Sequence, residues 1–249
     1  MNDPAPAILL VDDDIDACRN VSDILKDLGY QVDIAHEGQS ALELASRRPY
    51  DVAVLDFKMP GMDGVTLYRH LRARHPGVVA LLLTAYASED TATAARSAGT
   101  WKVLRKPVDI PALLGLIDEA VGQPLVLVVD DDLDLCENLW DLLRSRDIRV
   151  CTAHDSAQAV ERLREARYQA VLIDMKLPGS DGCSVFRTVR TVDPRARTVL
   201  ITGFRPETEP LIEVALAEGA DAVCYKPFDS PALIDLLERL VGPTPSQSR

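Results

Sequence analysis

The feature that most constrains this chain is that it repeats itself. Val11-Asp12-Asp13-Asp14 returns 118 positions later as Val129-Asp130-Asp131-Asp132. The stretch Asp56 to Gly61 (DFKMPG) returns as Asp174 to Gly179 (DMKLPG), and Thr84 returns as Thr202, at the same offset. Lys106-Pro107 returns 120 positions later as Lys226-Pro227, so the second copy gains two residues after Thr202. Laid on 126–202 without gaps, residues 8–84 share 27 identities in 77 positions. A period this long marks a duplicated domain, because solenoid units run only about 20–50 residues. The 249 residues therefore divide into a first domain over 1–122, a second over 123–241, and a Pro/Ser-rich tail over 242–249 expected to fray.

Each copy alternates short apolar runs with helical periodicity. In the first, Ile8–Val11, Val52–Leu55 and Val79–Leu83 are continuous apolar runs, as expected of strands covered on both faces. Val32 and Ile34 alternate with polar neighbours, and Val103-Leu104 is the last run. Ile15, Cys18, Val21, Leu25 and Leu28 follow a helical stripe that Gly29 closes. Further helices are predicted near 40–47, 64–74, 89–98 and 110–121. The second copy predicts strands at Leu125–Val129, Val150-Cys151, Ala170–Ile173, Thr198–Ile201 and Ala222–Cys224. Strands alternating with helices imply an α/β fold: five βα units per copy, a five-stranded parallel sheet, right-handed crossovers.

In a doubly wound sheet, ligands bind outside the carboxyl ends of the strands. The repeated polar residues fall there. Asp12 and Asp13 follow the first strand, Asp56 ends the third, Thr84 the fourth and Lys106 the fifth; Asp130, Asp131, Asp174, Thr202 and Lys226 repeat the set. Three carboxylates brought together repel one another. A divalent cation resolves that conflict, and an all-oxygen cluster without His or Cys favours hard Mg²⁺. Lysine adds a point charge for phosphate oxygens and threonine a hydroxyl donor. Such a set suits phosphoryl transfer to a carboxylate, with Asp56 and Asp174 as nucleophiles.

On these residues, both copies resemble the receiver domain of two-component response regulators. The first matches through Val11–Asp14, Asp56–Gly64 (DFKMPGMDG), Thr84-Ala85 and Lys106-Pro107. The second matches through Val129–Asp132, Asp174–Gly182 (DMKLPGSDG), Thr202-Gly203 and Lys226-Pro227-Phe228. The resemblance covers about residues 7–121 and 125–241. It implies two flavodoxin-like (βα)5 domains phosphorylated at Asp56 and Asp174. Asp13 and Asp131 would ligate Mg²⁺ directly, Asp12 and Asp130 largely through water, and the backbone carbonyls of Lys58 and Lys176 would complete the protein ligands. Thr84 and Thr202 would sense the phosphoryl group, Lys106 and Lys226 would pair with it, and the peptide before Pro107 and Pro227 would be cis. The implied donor is a sensor histidine kinase or a histidine phosphotransfer protein, in the cytoplasm. With no output domain in sight, output is by protein docking, phosphate relay or competition for phosphoryl groups. A downstream protein target and a homodimer stay open. No turnover of an external substrate is expected, so the chain is not read as an enzyme.

Two departures from the family pattern matter. Val103 and Val223 stand where receivers usually place a switch aromatic, and Val108 replaces the usual aromatic after Lys-Pro, which the second copy keeps as Phe228.

Asp14 and Asp132 are expected to cap helices. His36 and His154, at matching positions, read as ordinary edge-strand residues. The leucine-rich last helix reads as mainly core. Five cysteines without a CxxC pair read as buried thiols in a reducing compartment, not zinc ligands. The net charge of −12, split as −6 for 1–122 (12 basic, 18 acidic) and −6 for 123–249 (15 basic, 21 acidic), argues against nucleic acid. No apolar run reaches the ~20 residues of a membrane helix, and the N-terminus shows no secretory signal. Three alternatives remain: an unphosphorylated scaffold, a receiver fragment of a hybrid histidine kinase, and an aspartyl-phosphate hydrolase. Met1 and the tail speak against the fragment. Dehalogenase-like hydrolases want an acid two residues past the nucleophile, where Lys58 and Lys176 stand.

Overall fold

The computed structural model describes residues 5–85, 89–178, 180–203 and 208–242. Gly179 of the second motif, the start of the insertion after Thr202 (204–207) and tail residues 243–249 lie outside them. The chain forms two compact units, Met1–Gly122 and Gln123–Arg249.

The first unit runs β1 (Ala7–Val11), α1 (Ile15–Asp27), β2 (Gln31–Ala35), α2 (Gly38–Ala45), β3 (Val52–Asp56), α3 (Gly64–Arg74), β4 (Val79–Thr84), α4 (Glu89–Ser97), β5 (Lys102–Arg105) and α5 (Ile110–Gly122). Its sheet is all parallel, in the order β2-β1-β3-β4-β5. Every residue of β3 and β4 is buried, which explains their unbroken apolar runs: both faces are covered. One face packs a cluster including Leu25, Leu113 and Ile117 from α1 and α5. The other packs Leu67, Tyr68 and Leu71 of α3 with Ala41 and Ala45 of α2. Truncating such a buried leucine to alanine costs about 2–5 kcal/mol.

Helix ends follow local chemistry. The Asp14 carboxylate accepts the Ala17 amide at 3.0 Å and caps α1, as expected. Gly29 follows α1 at φ +92°, a backbone shape glycine adopts without a Cβ clash. Helix α2 begins and ends two residues earlier than its apolar pattern predicts. Pro49 disfavours helical backbone in the residue before it, and the helix closes at Ser46.

The second unit repeats the plan. It runs β6 (Leu125–Val129), α6 (Leu133–Arg144), β7 (Arg149–Ala153), α7 (Ser156–Glu165), β8 (Ala170–Asp174), β9 (Lys176–Leu177), β10 (Ser180–Asp181), α8 (Gly182–Val192), β11 (Arg197–Gly203), α9 (Glu209–Ala217), β12 (Ala222–Lys226) and α10 (Ser230–Val241). The parallel sheet reads β7-β6-β8-β11-β12. Asp132 caps α6 through the Leu135 amide at 3.0 Å. In α10, Leu233, Ile234 and Leu237 are buried in the core, with Leu236 and Leu240 packed partly against it. The antiparallel pair β9–β10 directly after Asp174 was not foreseen.

Candidate functional site

In both sheets the strand order reverses between the first and third strands, opening a crevice at their carboxyl ends. The structure brings the expected residues together there. Asp12 leaves β1, Asp56 closes β3 and Thr84 closes β4, all buried, while Asp13 is exposed. Lys106 follows β5, its peptide bond to Pro107 is cis, and its amide donates to the Thr84 carbonyl at 2.8 Å. Its ammonium bridges two carboxylates, 2.7 Å from Asp12 Oδ2 and 2.8 Å from Asp56 Oδ1. Oxygens of Asp12, Asp13 and Asp56 lie within 4.8 Å of one another.

The second unit reproduces this arrangement. Lys226 Nζ stands 2.6 Å from Asp130 Oδ2 and 2.7 Å from Asp174 Oδ2, and Lys226-Pro227 is cis. Asp130, Asp131 and Asp174 gather within the same 4.8 Å. The Lys176 amide donates to Asp174 Oδ1 at 2.9 Å, which orients the carboxylate. Thr202 lines the same cleft of about 530 Å³ as Asp130, Asp131, Asp174 and Lys226.

Packing holds this edge in register. A Cβ on Gly64 would strike the Asp56 carbonyl, and one on Gly182 the Asp174 carbonyl, so only glycine lets α3 and α8 start so close to the acceptor strand.

Burial pushes the Asp56 carboxyl up. The Lys106 hydrogen bond and charge pull it back, Asp12 and Asp13 push again, and it ends above the ordinary carboxylate value. Burial likewise dominates at Asp130, which also ends raised despite the bonds from Lys226 and the Asp132 amide. For both lysines burial acts downward, but the hydrogen bonds to two aspartates outweigh it and hold them above the usual value. Each ammonium therefore stays charged.

Three groups escaped the sequence reading. His36 Nδ1 sits 3.0 Å from the Asp12 carbonyl and His154 Nδ1 3.1 Å from the Asp130 carbonyl, so these histidines brace the acidic turn. Their retention at matching positions was the available signal. Thr208 Oγ1 lies 3.3 Å from Thr202 Oγ1 and also lines the cleft. Val103 and Val223, at the switch positions, are half-buried against the core.

A strand-end aspartate trio with two members bridged by one lysine, on a 2-1-3-4-5 parallel sheet, defines a receiver-type domain. The response regulator receiver domain family matches residues 8–118 and again 126–238. The chain belongs to that family, and it carries the domain twice. A response regulator receiver protein of Anaeromyxobacter sp. is 36% identical over 232 residues, covering 93% of this chain and 94% of that protein. The transcriptional regulatory protein ZraR of Escherichia coli K12 is 35% identical over 115 residues, 46% of this chain and 26% of ZraR. Among solved structures, a CheY-like receiver domain protein of Methanospirillum hungatei is 31% identical, covering 47% of this chain and 94% of that one, with a TM-score of 0.46. The chain is thus a tandem-receiver protein of the response regulator family. Among the described residues, no helix is long and apolar enough to cross a membrane.

Proposed function

We propose that both units are Mg²⁺-dependent phosphoacceptors, charged at Asp56 and Asp174 by a histidine kinase or a histidine phosphotransfer protein. The observation that carries this reading is the duplicated geometry: three carboxylates within 4.8 Å, two of them bridged by one ammonium.

The donor set fits Mg²⁺. It is all oxygen, close-set and hard, with exposed Asp13 and Asp131 leaving room for coordinated water. Asp13 and Asp131 would ligate directly, Asp12 and Asp130 largely through water, joined by Asp56, Asp174 and the carbonyls of Lys58 and Lys176. The bound ion would supply positive charge to the phosphoryl oxygens.

An oxygen of Asp56 attacks the phosphorus of a phosphohistidine in line. The O–P bond forms as the P–N bond breaks, and the imidazole nitrogen departs with its electron pair, which solvent protonates. Lys106, already hydrogen-bonded to the acceptor, takes up charge developing on the phosphoryl oxygens. Thr84 would donate its hydroxyl to one of them. Asp174, Lys226 and Thr202 repeat these roles. The phosphate contacts then shift each receiver between two conformations by their differential stability.

On this reading the protein turns over no external substrate. It works in the cytoplasm, consistent with five free thiols, and acts by protein docking or phosphate relay.

Intact-mass analysis after exposure to a small acyl phosphate with Mg²⁺ tests the proposal. Two added phosphoryl groups are expected in the wild type, one in Asp56→Ala or Asp174→Ala, and none in the double variant or with EDTA. Wild type that gains no mass, under conditions that label another receiver, would overturn it.

A further inference from the structure

The two units share an acceptor edge but differ in how the flank beside it is filled. In the first unit a cavity of about 390 Å³ opens between α1 and the start of α5. Its walls are mainly aliphatic, including Ala17, Val21, Val54 and Val108, and its polar lining is Asp12, Asp14, Asn20 and Lys106. The repeat shows which residues stand at the matching positions of the second unit. Leu135 stands for Ala17, Leu139 for Val21, Leu172 for Val54 and Phe228 for Val108. Leu139 and Leu172 are buried there, and Leu135 and Phe228 pack partly buried against the same core. Two exchanges run the other way, Leu10 for Val128 and Ile110 for Ser230, and neither replaces the ring of Phe228.

An apolar cavity of about 150 Å³ already binds benzene, and small-ligand sites run about 300–1,000 Å³. We propose that the first unit binds a small uncharged molecule built on one six-membered ring, in the place that the Phe228 side chain takes in the second. The class follows from the lining: mainly aliphatic walls for the ring, and a few polar groups, Lys106 and Asp12 among them, to meet a single hydroxyl. Two of the Lys106 N–H bonds go to Asp12 and Asp56, and an ammonium carries three. A charged or phosphorylated ligand would have to be desolvated against those walls and is disfavoured.

The full chain, titrated with p-cresol and with cyclohexanol, tests this by residue-resolved NMR. Saturable shifts are expected at Ala17, Cys18, Val21 and Val108, with none at Leu135, Cys136, Leu139 and Phe228. The double variant A17L/V108F carries the second unit's own residues and should lose at least tenfold in affinity. If that variant does not fold, the reciprocal L135A/F228V decides, by gaining a saturable site in the second unit. No saturable shifts with either probe, equal shifts in both units, undiminished affinity in folded A17L/V108F, or no gain in L135A/F228V would each overturn the proposal.

Discussion

Replacing Lys226 by methionine tests how the acidic site is held together without metal. The ammonium contacts Asp130 and Asp174 at 2.6 and 2.7 Å, and Asp130 is fully buried. Methionine keeps most of the stem and removes the charge, leaving two close carboxylates facing each other. Breaking a fully buried pair costs about 3–5 kcal/mol. The Lys226 side chain is 25% exposed, so solvent screens part of this and the expected loss is about 2–3 kcal/mol. For a unit of this size that lowers its melting temperature by roughly 8–12 °C.

The sign of the pH dependence is fixed by Asp130. Its folded pKa already lies above the ordinary value with Lys226 present, and losing the cation raises it further. A carboxyl raised in the folded state destabilises fully above its folded pKa, and the penalty fades as pH falls toward its unfolded value of about 3.9. The gap between variant and wild type should therefore be widest at pH 7 and close toward pH 4. Urea unfolding in EDTA, followed by the buried Trp140 in a Trp101→Phe background, isolates the second unit. A loss below about 1 kcal/mol at pH 7, or one that grows on acidification, would refute the reasoning.

Other outcomes follow from the packing. Gly64→Ala drives a Cβ onto the Asp56 carbonyl and within 2.9 Å of Leu82, and Gly182→Ala meets the Asp174 carbonyl and Met175 Cα at 2.7 Å. Each should cost about 1–3 kcal/mol in thermal unfolding, and an unchanged transition would contradict the close approach. Burial, with nearby aspartates, pushes the Cys18 thiol up to about 11 and the Cys136 thiol to about 12. Their thiolate fraction at pH 8 is then about one in a thousand or less, so iodoacetamide should leave both unlabelled in the native protein; rapid labelling by peptide mapping would count against it. Tyr50 donates to Asp33 at 2.6 Å, and although burial pushes Asp33 up, the bonds from Tyr50 and Arg48 bring it below the usual value. Tyr50→Phe should cost about 0.5–1 kcal/mol at pH 7, a loss that disappears as pH falls through the Asp33 pKa; a pH-independent loss would assign the effect to packing instead.

The main strands and the acceptor residues were legible because two independent patterns agreed on them. Apolar runs placed the strands, and the repeat marked which polar residues at their ends had been kept. What the sequence hid was geometry without periodicity. Two-residue strands such as β9 and β10 carry too few positions for an alternating pattern. His36 and His154 were retained in both copies, yet a histidine after an edge strand gives no hint that its ring reaches back to the acidic turn. Thr208 follows the insertion where the copies lose register, so no repeated partner flagged it.

The duplication also separates what the acceptor chemistry demands from what it leaves free. Asp12, Asp13, Asp14, Cys18 and His36 recur unchanged, as do Asp56, Lys58, Pro60, Gly61, Gly64 and Thr84, and all but the capping and turn positions touch the acidic edge or the carbonyls that shape it. Away from that edge some helix faces diverge. Helix α4 reads EDTATAARS, whereas α9 reads EPLIEVALA and exposes Val214 and Leu216. The α1 flank carries Ala17, Val21 and Val108 where the α6 flank carries Leu135, Leu139 and Phe228. Discrimination between binding sites is a difference of affinities. The two edges share their aspartates, threonine and lysine, so a partner that distinguishes the units must read the residues that differ, on these flanks and beside the clefts, Thr208 included.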